Sequence, residues 1–256
     1  MIPYFQIPTF QFLGMTFHAF EVLTSLGIYL GVQQTLKMSR TRSIAEKNMI
    51  DLILLSIISG FIGAHVVHIV LYERNAVTYS KVFEVWKGIS STGGFLTGGF
   101  VAWVYVRRKK LPLRDVGDSM IKGLLVALFF GRIGCFTAHD HPGALTSVPW
   151  GVQFLGGVRH DLGLEEAVFI GIFFMVTHIP AINRFLDQKS GRWMISGILF
   201  YGIMRFALDF LRSSDQIASD PRYFGLTPAQ YFCLFFVGLG IFWFKESPTQ
   251  NDRMSK

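Results

Sequence analysis

Charge is what this chain has little of. Only 16% of its residues are Asp, Glu, Lys or Arg, against about a quarter in an ordinary soluble domain. That poverty excludes the usual water-soluble enzyme or binding module. Cysteine is scarce too. Cys135 and Cys233 are the two in the sequence. Both stand in apolar context and neither has metal-ligand spacing, so no disulfide framework and no metal are expected. No stripe of basic residues interleaves with aromatics outside the apolar runs, and nucleic acid is not expected as a partner. No basic leader with a small-residue cleavage site precedes the first apolar run, which is therefore read as an uncleaved span. Repeats and low-complexity segments are lacking.

What is present is apolar length. Hydrophobic residues make up 51% of the chain, with 26 phenylalanines, and several runs reach the roughly 20 residues that cross a bilayer. The expected fold is an all-α integral membrane protein of about seven spans. They run at about Thr16–Leu36, Met49–Tyr72, Ile89–Val106, Val116–Phe136, Gly163–Ile182, Trp193–Leu211 and Thr227–Phe244. Residues 1–256 are read as one polytopic domain. Its polar segment, about 137–162, sits between the fourth and fifth spans, and the N-terminal stretch with Pro3 and Pro8 is expected on the surface.

The net charge of +7 reads as topology. Lys and Arg collect after the first, third and fifth spans and in the tail, whereas the loop after the second span is mixed. The positive-inside rule puts the N-terminus outside and the C-terminus in the cytoplasm. Two polar clusters, one after the fourth span and one at the end of the sixth, then share the outer side.

The first cluster is G-R-I-G-C-F-T-A-H-D-H-P-G, Gly131 to Gly143. Ionisable groups at membrane depth cost several kcal/mol unless they face protein or water, so Arg132 is a functional candidate. Its planar fork of donors suits a phosphate diester; snorkelling to the headgroups is the plainer alternative. In the second cluster Arg205, Asp209 and Arg212 fall at i, i+4 and i+7, one helical face. Either they tie helices together, or Asp209 orients one guanidinium while a phosphate takes the rest.

His139, Asp140 and His141, with Arg159, His160 and Asp161, make a second layer. A zinc site is conceivable there, but H-x-H before Pro142 is a weak signal; acid–base work suits these histidines better. Ser90 to Gly94 brings backbone N–H groups to a helix N-terminus that could meet an anion. The glycine pairs Gly60/Gly63 and Gly98/Gly99 read as close helix packing. His18 with Glu21, His65 with His68, and Glu166 read as satisfied helix–helix hydrogen bonds. Phe232, Phe235 and Phe236 read as lipid-facing or packing residues.

On these stretches the chain resembles the prolipoprotein diacylglyceryl transferases of bacterial inner membranes. Gly131–Gly143 is similar to the family's G-R-x-G-N-F-x-N-x-E-x-x-G, and R-H-D-L-G-L-E-E from Arg159 to its R-H-P-S-Q-L-Y-E. Y-G-I-M-R-F-A-L-D-F-L-R-S-S-D from Tyr201 is similar to its Y-G-x-x-R-F-x-x-E-F-x-R-x-P-D. G-L-T-P-A-Q from Gly225 and T-G-G-F-L-T-G-G from Thr92 also have counterparts. The likeness implies transfer of the diacylglyceryl group of phosphatidylglycerol to the lipobox cysteine thiol of a prolipoprotein signal peptide. Glycerol phosphate leaves, a thioether forms and no cofactor is used.

The resemblance puts the phosphate-binding arginines at Arg132 and Arg205, the acids at Asp140 and Asp209, and further motif positions at His160 and Glu166. Thr92, Gly93, Gly94, Cys135, Gly143, Arg159 and Arg212 complete the expected substrate-binding set. This chain departs from the family pattern at Phe20, Thr92, Cys135 and Ala138, and has aspartate at both acidic positions. With Thr92 in place of a histidine, the base for the thiol is expected among His139, His141 and His160, with Asp140 orienting it. Two alternatives share the scaffold: an enzyme with another acceptor, or a non-catalytic phospholipid binder.

Overall fold

The structure, a computed structural model, describes residues 1–5, 7, 9–12, 15–72, 90–215 and 221–245. Pro8, the mixed-charge loop after the second expected span, Ile89 and the polar tail lie outside the described residues. The chain forms two compact units, residues 35–119 and residues 1–34 with 120–256.

Helices dominate: α1 (Ala19–Thr41), α2 (Glu46–Tyr72), α3 (Ser91–Arg108), α4 (Leu113–Ala138), α5 (Leu162–Thr177), α6 (Pro180–Asp187), α7 (Arg192–Leu208) and α8 (Pro228–Lys245). The helices α2, α4 and α7 are long and apolar enough to cross a membrane. The bent pair α5 and α6 makes a fourth if counted as one span, and α8 is apolar but shorter. The fifth expected span is interrupted: α5 and α6 meet at 86°, where Pro180 opens α6 and cannot donate to the preceding turn. The sixth tightens into a 3-10 turn at Asp209–Leu211.

The all-α expectation needs correction at two places. A short antiparallel pair, β1 (Phe10–Phe12) with β2 (Met15–Phe17), precedes α1. The polar segment folds into a three-stranded antiparallel sheet of β3 (Pro142–Leu145), β4 (Val152–Phe154) and β5 (Gly157–Asp161), ordered β3-β5-β4. Strands of three to five residues are too short for alternation to reveal them. The N-terminal stretch is exposed at Met1, Pro3 and Tyr4, as expected of a surface segment, and it is anchored there. Ile2 lies beside Val152, donating to Gly151 O at 2.9 Å and accepting from Gln153 N at 3.0 Å.

In the unit of residues 35–119, α2 and α3 pack through small residues. A Cβ at Gly63 would overlap Thr97, one at Gly93 would stand 2.5 Å from Gly63 O, and one at Gly98 2.9 Å from Ser56 O. Glycine is what lets these backbones approach so closely. The packing reading holds for Gly60, Gly63 and Gly98; among the described residues nothing comes within 4 Å of a Cβ at Gly99. Arg42 in this unit reaches Asp115 at 3.7 Å and the fully buried Asp118 at 3.2 Å.

In the other unit, α4, α5 and α7 share an apolar core built on Ile170, Met204 and Leu208 with Leu128, Phe129 and Phe200 around them. That packing holds the polar residues at the β5 end of α5 and the C-terminal ends of α4 and α7 in fixed positions. Among the described residues His18 and Glu21 pair with each other rather than with another helix. Glu21 accepts the His18 backbone N–H at 2.6 Å and caps the start of its own helix.

Candidate active site

Glu166 is the centre of the polar structure. It stands one turn into α5 and is fully buried. Its Oε2 accepts from Arg132 Nε of α4 at 2.9 Å, and its Oε1 is paired with Arg205 of α7. A carboxylate in that position is tolerable only when cations surround it, because desolvating it alone costs several kcal/mol. The network continues. Arg205 Nη2 meets Asp209 Oδ1 at 3.0 Å, and Arg212 Nε meets the same oxygen at 2.7 Å. The other Asp209 oxygen accepts from the Thr227 hydroxyl. Gln230 locks Thr227 in turn, accepting its backbone N–H at 3.0 Å and donating to Phe206 O at 3.2 Å.

Three guanidinium groups thus share two carboxylates, Glu166 and Asp209. This buried core carries one surplus positive charge. Each guanidinium has five N–H donors in a fork, and the carboxylates occupy only part of each. A singly charged phosphodiester supplies what the surplus charge and the remaining donors require.

Beside Arg132 opens a second group. Its Nη1 approaches Cys135 Sγ at 3.8 Å. His139 adopts a left-handed φ of 50° and its N–H reaches back to Phe136 O at 3.3 Å. The chain turns there, and Asp140 and His141 come to stand near Cys135. His141 is held below the ordinary histidine value, by burial first, with the Arg132 and Arg212 charges adding to it and Asp140 opposing. Gly143 lies under Arg212; a Cβ there would come within 2.6 Å of Leu211 O, so only glycine admits this approach.

The remaining expected residues go elsewhere. His139 is enclosed by the rings of Tyr4, Phe5, Phe136 and Phe154, at centroid distances of 4.8, 4.7, 5.4 and 5.6 Å. Its Nδ1 pairs with Asp161 at 3.0 Å. Asp161 also caps α5 by accepting the Leu164 N–H, and burial raises its carboxyl above the usual range despite the His139 partner. His160 Nδ1 is 2.5 Å from Glu165 Oε1, which also accepts from Trp150 Nε1 at 3.3 Å. Arg159 makes a two-pronged contact with Asp215, at 3.0 and 2.5 Å, and donates to Gly143 O at 3.0 Å. It staples the segment after the 3-10 turn to β5. Thr92, Gly93 and Gly94 belong to the other unit, where the two glycines face α2.

Sequence reasoning missed Thr227, Gln230, Glu165 and Trp150. A signal existed for the first two: T-P-A-Q from Thr227 is a capping box, and Thr227 and Gln230 exchange its two reciprocal hydrogen bonds at the start of α8.

A family model described as prolipoprotein diacylglyceryl transferase matches residues 8–245. The chain belongs to that family. It is 31% identical over 199 residues to the phosphatidylglycerol–prolipoprotein diacylglyceryl transferase of Nitratidesulfovibrio vulgaris, covering 75% of this chain and 74% of the relative. The correspondingly named protein of Clostridium tetani is 26% identical over 242 residues, covering 92% and 95%. That of Geobacter sulfurreducens is 31% identical over 208 residues, covering 78% and 79%. The stretch from Gly131 to Gly143 contributes to two places at once: Arg132 to the arginine network, and Cys135, Asp140 and His141 to the group beside it.

Proposed function

We propose that the chain transfers the diacylglyceryl group of phosphatidylglycerol to the cysteine thiol of a prolipoprotein. The observation that carries this reading is the meeting of Arg132 and Arg205 on Glu166, in a member of this family. The two arginines and Arg212 hold the phosphate. The thiol sulfur attacks the glycerol carbon bonded to the phosphate oxygen. That C–O bond breaks, its electron pair leaves with glycerol phosphate, and the thiol proton is released. Charge builds on the departing phosphate, where preorganised guanidinium groups are typically worth about 10²–10³ in rate for each donor set removed.

His139 and His160 are engaged with Asp161 and Glu165. The acceptor thiol is therefore met by His141 and Asp140, beside the arginines. We read the chain as one polytopic domain of seven spans in the bacterial inner membrane, N-terminus periplasmic and C-terminus cytoplasmic, with the site toward the periplasmic side. Phosphatidylglycerol enters laterally, its head at the arginines and its tails in hydrocarbon.

The test incubates the purified protein with labelled phosphatidylglycerol and a lipobox peptide. Thioether-linked diacylglyceryl peptide and glycerol phosphate are expected in equal amounts. Lipid consumed without modified peptide would assign another acceptor or a hydrolase. Lipid bound but intact would overturn catalysis.

A further inference from the structure

The linear spacing of Cys135, Asp140 and His141 shows no metal pattern, yet the fold brings them together. One thiol sulfur, one carboxylate oxygen and one imidazole nitrogen lie within 4.8 Å of one another. Ligand bonds to zinc are about 2.0–2.3 Å, which puts tetrahedral ligands about 3.3–3.7 Å apart. Roughly an ångström of side-chain adjustment would close the set.

Three features favour an ion here. First, the donor set is mixed. Sulfur and imidazole nitrogen suit zinc and argue against magnesium or calcium, which take oxygen ligands. Second, the site is sealed behind and open in front. Cys135 is buried, whereas the His141 and Asp140 side chains are 34% and 42% exposed. Third, His141 Nδ1 lies 2.8 Å from the Asp140 carbonyl oxygen. That contact puts the proton on Nδ1 and the lone pair on Nε2, the way a ligating histidine is fixed by its outer hydrogen bond.

We propose that Cys135, Asp140 and His141 form a three-ligand zinc site whose open fourth position takes the thiol of the acceptor peptide. The role of the fourth ligand rests on the transferase reading above; the site itself does not. A thiolate and a carboxylate cancel the charge of the dication. A neutral centre can therefore stand beside Arg132, whose Nη1 is 3.8 Å from Cys135 Sγ. Zinc deprotonates a coordinated thiol outright, and the thiol proton passes to solvent. The bound sulfur then attacks the glycerol carbon of a lipid whose phosphate the arginines hold. The C–O bond breaks with its electron pair going to the phosphate oxygen, and the product thioether, a poorer ligand, leaves the ion. His141 acts as a ligand in this scheme, and no general base is needed.

The experiment uses the full chain in detergent, stripped of metal by chelation and titrated with Co²⁺ alone. One ion per chain is expected, with the absorption of tetrahedral cobalt and a sulfur-to-cobalt charge-transfer band. Cys135→Ser should abolish that band, and Asp140→Asn and His141→Gln should each weaken binding at least tenfold. The metal-free unfolding temperatures of these variants, compared with wild type, separate lost ligands from lost folding. A lipobox peptide should enlarge the charge-transfer band as a second sulfur binds, and the same peptide with serine for cysteine should not. No stoichiometric binding by wild type, or identical binding by Cys135→Ser, overturns the site. Full thioether formation by the metal-stripped protein overturns the fourth-ligand role and leaves the transferase reading intact. A normal cobalt spectrum without any thioether product upholds the site and overturns the transferase reading.

Discussion

Two buried polar groups in the same unit solve the problem of charge away from water in opposite ways. Around Glu166, charge is answered by charge: Arg132, Arg205, Asp209 and Arg212 are linked by contacts of 2.7 to 3.0 Å apart from the still closer pairing of Arg205 with Glu166. Around His139, a single imidazole–carboxylate pair is walled in by four aromatic rings, and Nε2 has no hydrogen-bond partner among the described residues. The first arrangement keeps a surplus positive charge, which the proposed function uses to hold the lipid phosphate. The second commits Asp161 to His139 and to the first turn of α5, inside a wall of aromatic rings. Both are fed by one short stretch, with Arg132 in the first and His139 in the second.

The largest effect that would break this contrast is at Glu166. Glu166→Gln removes the carboxylate that Arg132 and Arg205 share. Breaking a buried ion pair from one side typically costs about 3–5 kcal/mol. A large fall in unfolding temperature and loss of thioether formation are expected together. A stable, active Glu166→Gln protein would mean that the two guanidinium groups do not depend on their common anion.

Next come the arginines themselves. Arg132→Lys and Arg205→Lys keep the charge but lose the planar fork. Transfer should fall about 10²–10³-fold for each, with phosphatidylglycerol binding weakened. Normal kinetics in either variant would remove that residue from the phosphate site.

A smaller effect is expected at His139. His139→Phe fills the same aromatic enclosure and leaves Asp161 without one partner, a loss of at most about 1–3 kcal/mol. Thermal unfolding should register it, while the transfer rate of the folded protein should stay within a few-fold of wild type. Abolished transfer in a stably folded His139→Phe protein would return His139 to the chemistry and collapse the distinction.

How much of this was legible beforehand follows the same contrast. The arginine network was readable in part: Arg205 and Asp209 stand one helical turn apart, but the helix tightens before Arg212, and nothing in the sequence pointed to Glu166 as the anion that Arg132 and Arg205 share. The helices were readable from their apolar length, apart from the bend at Pro180. The group of Cys135, Asp140 and His141 was not, because it depends on one backbone angle. A left-handed φ at His139 folds the chain back over the last turn of α4, and no residue pattern announces that conformation at a non-glycine position. The aromatic enclosure was equally hidden, since Tyr4 and Phe5 reach His139 only after Ile2 has joined the sheet edge. Strands this short leave almost no local trace.

The smallest predicted effect concerns the Arg159–Asp215 staple, which tests whether contacts at the rim matter to the interior. The Arg159 guanidinium holds the Asp215 carboxyl below its ordinary value of 3.8. A lowered folded value means that the unfolded chain binds the proton more readily, so the stability contributed is full above 3.8 and disappears as the pH falls through the lower folded value. Asp215 is itself exposed, and solvent screens most of the gain. Wild type and Asp215→Asn should therefore differ by only a small step in unfolding temperature at pH 7, and their curves should merge as the medium is acidified below 3.8. Arg159 is buried and also holds Gly143 O, so Arg159→Ala should cost more than Asp215→Asn at every pH. If the two variants matched at pH 7, the buried guanidinium would be acting only through Asp215, and its hold on Gly143, directly beneath Arg212, would contribute nothing to the site.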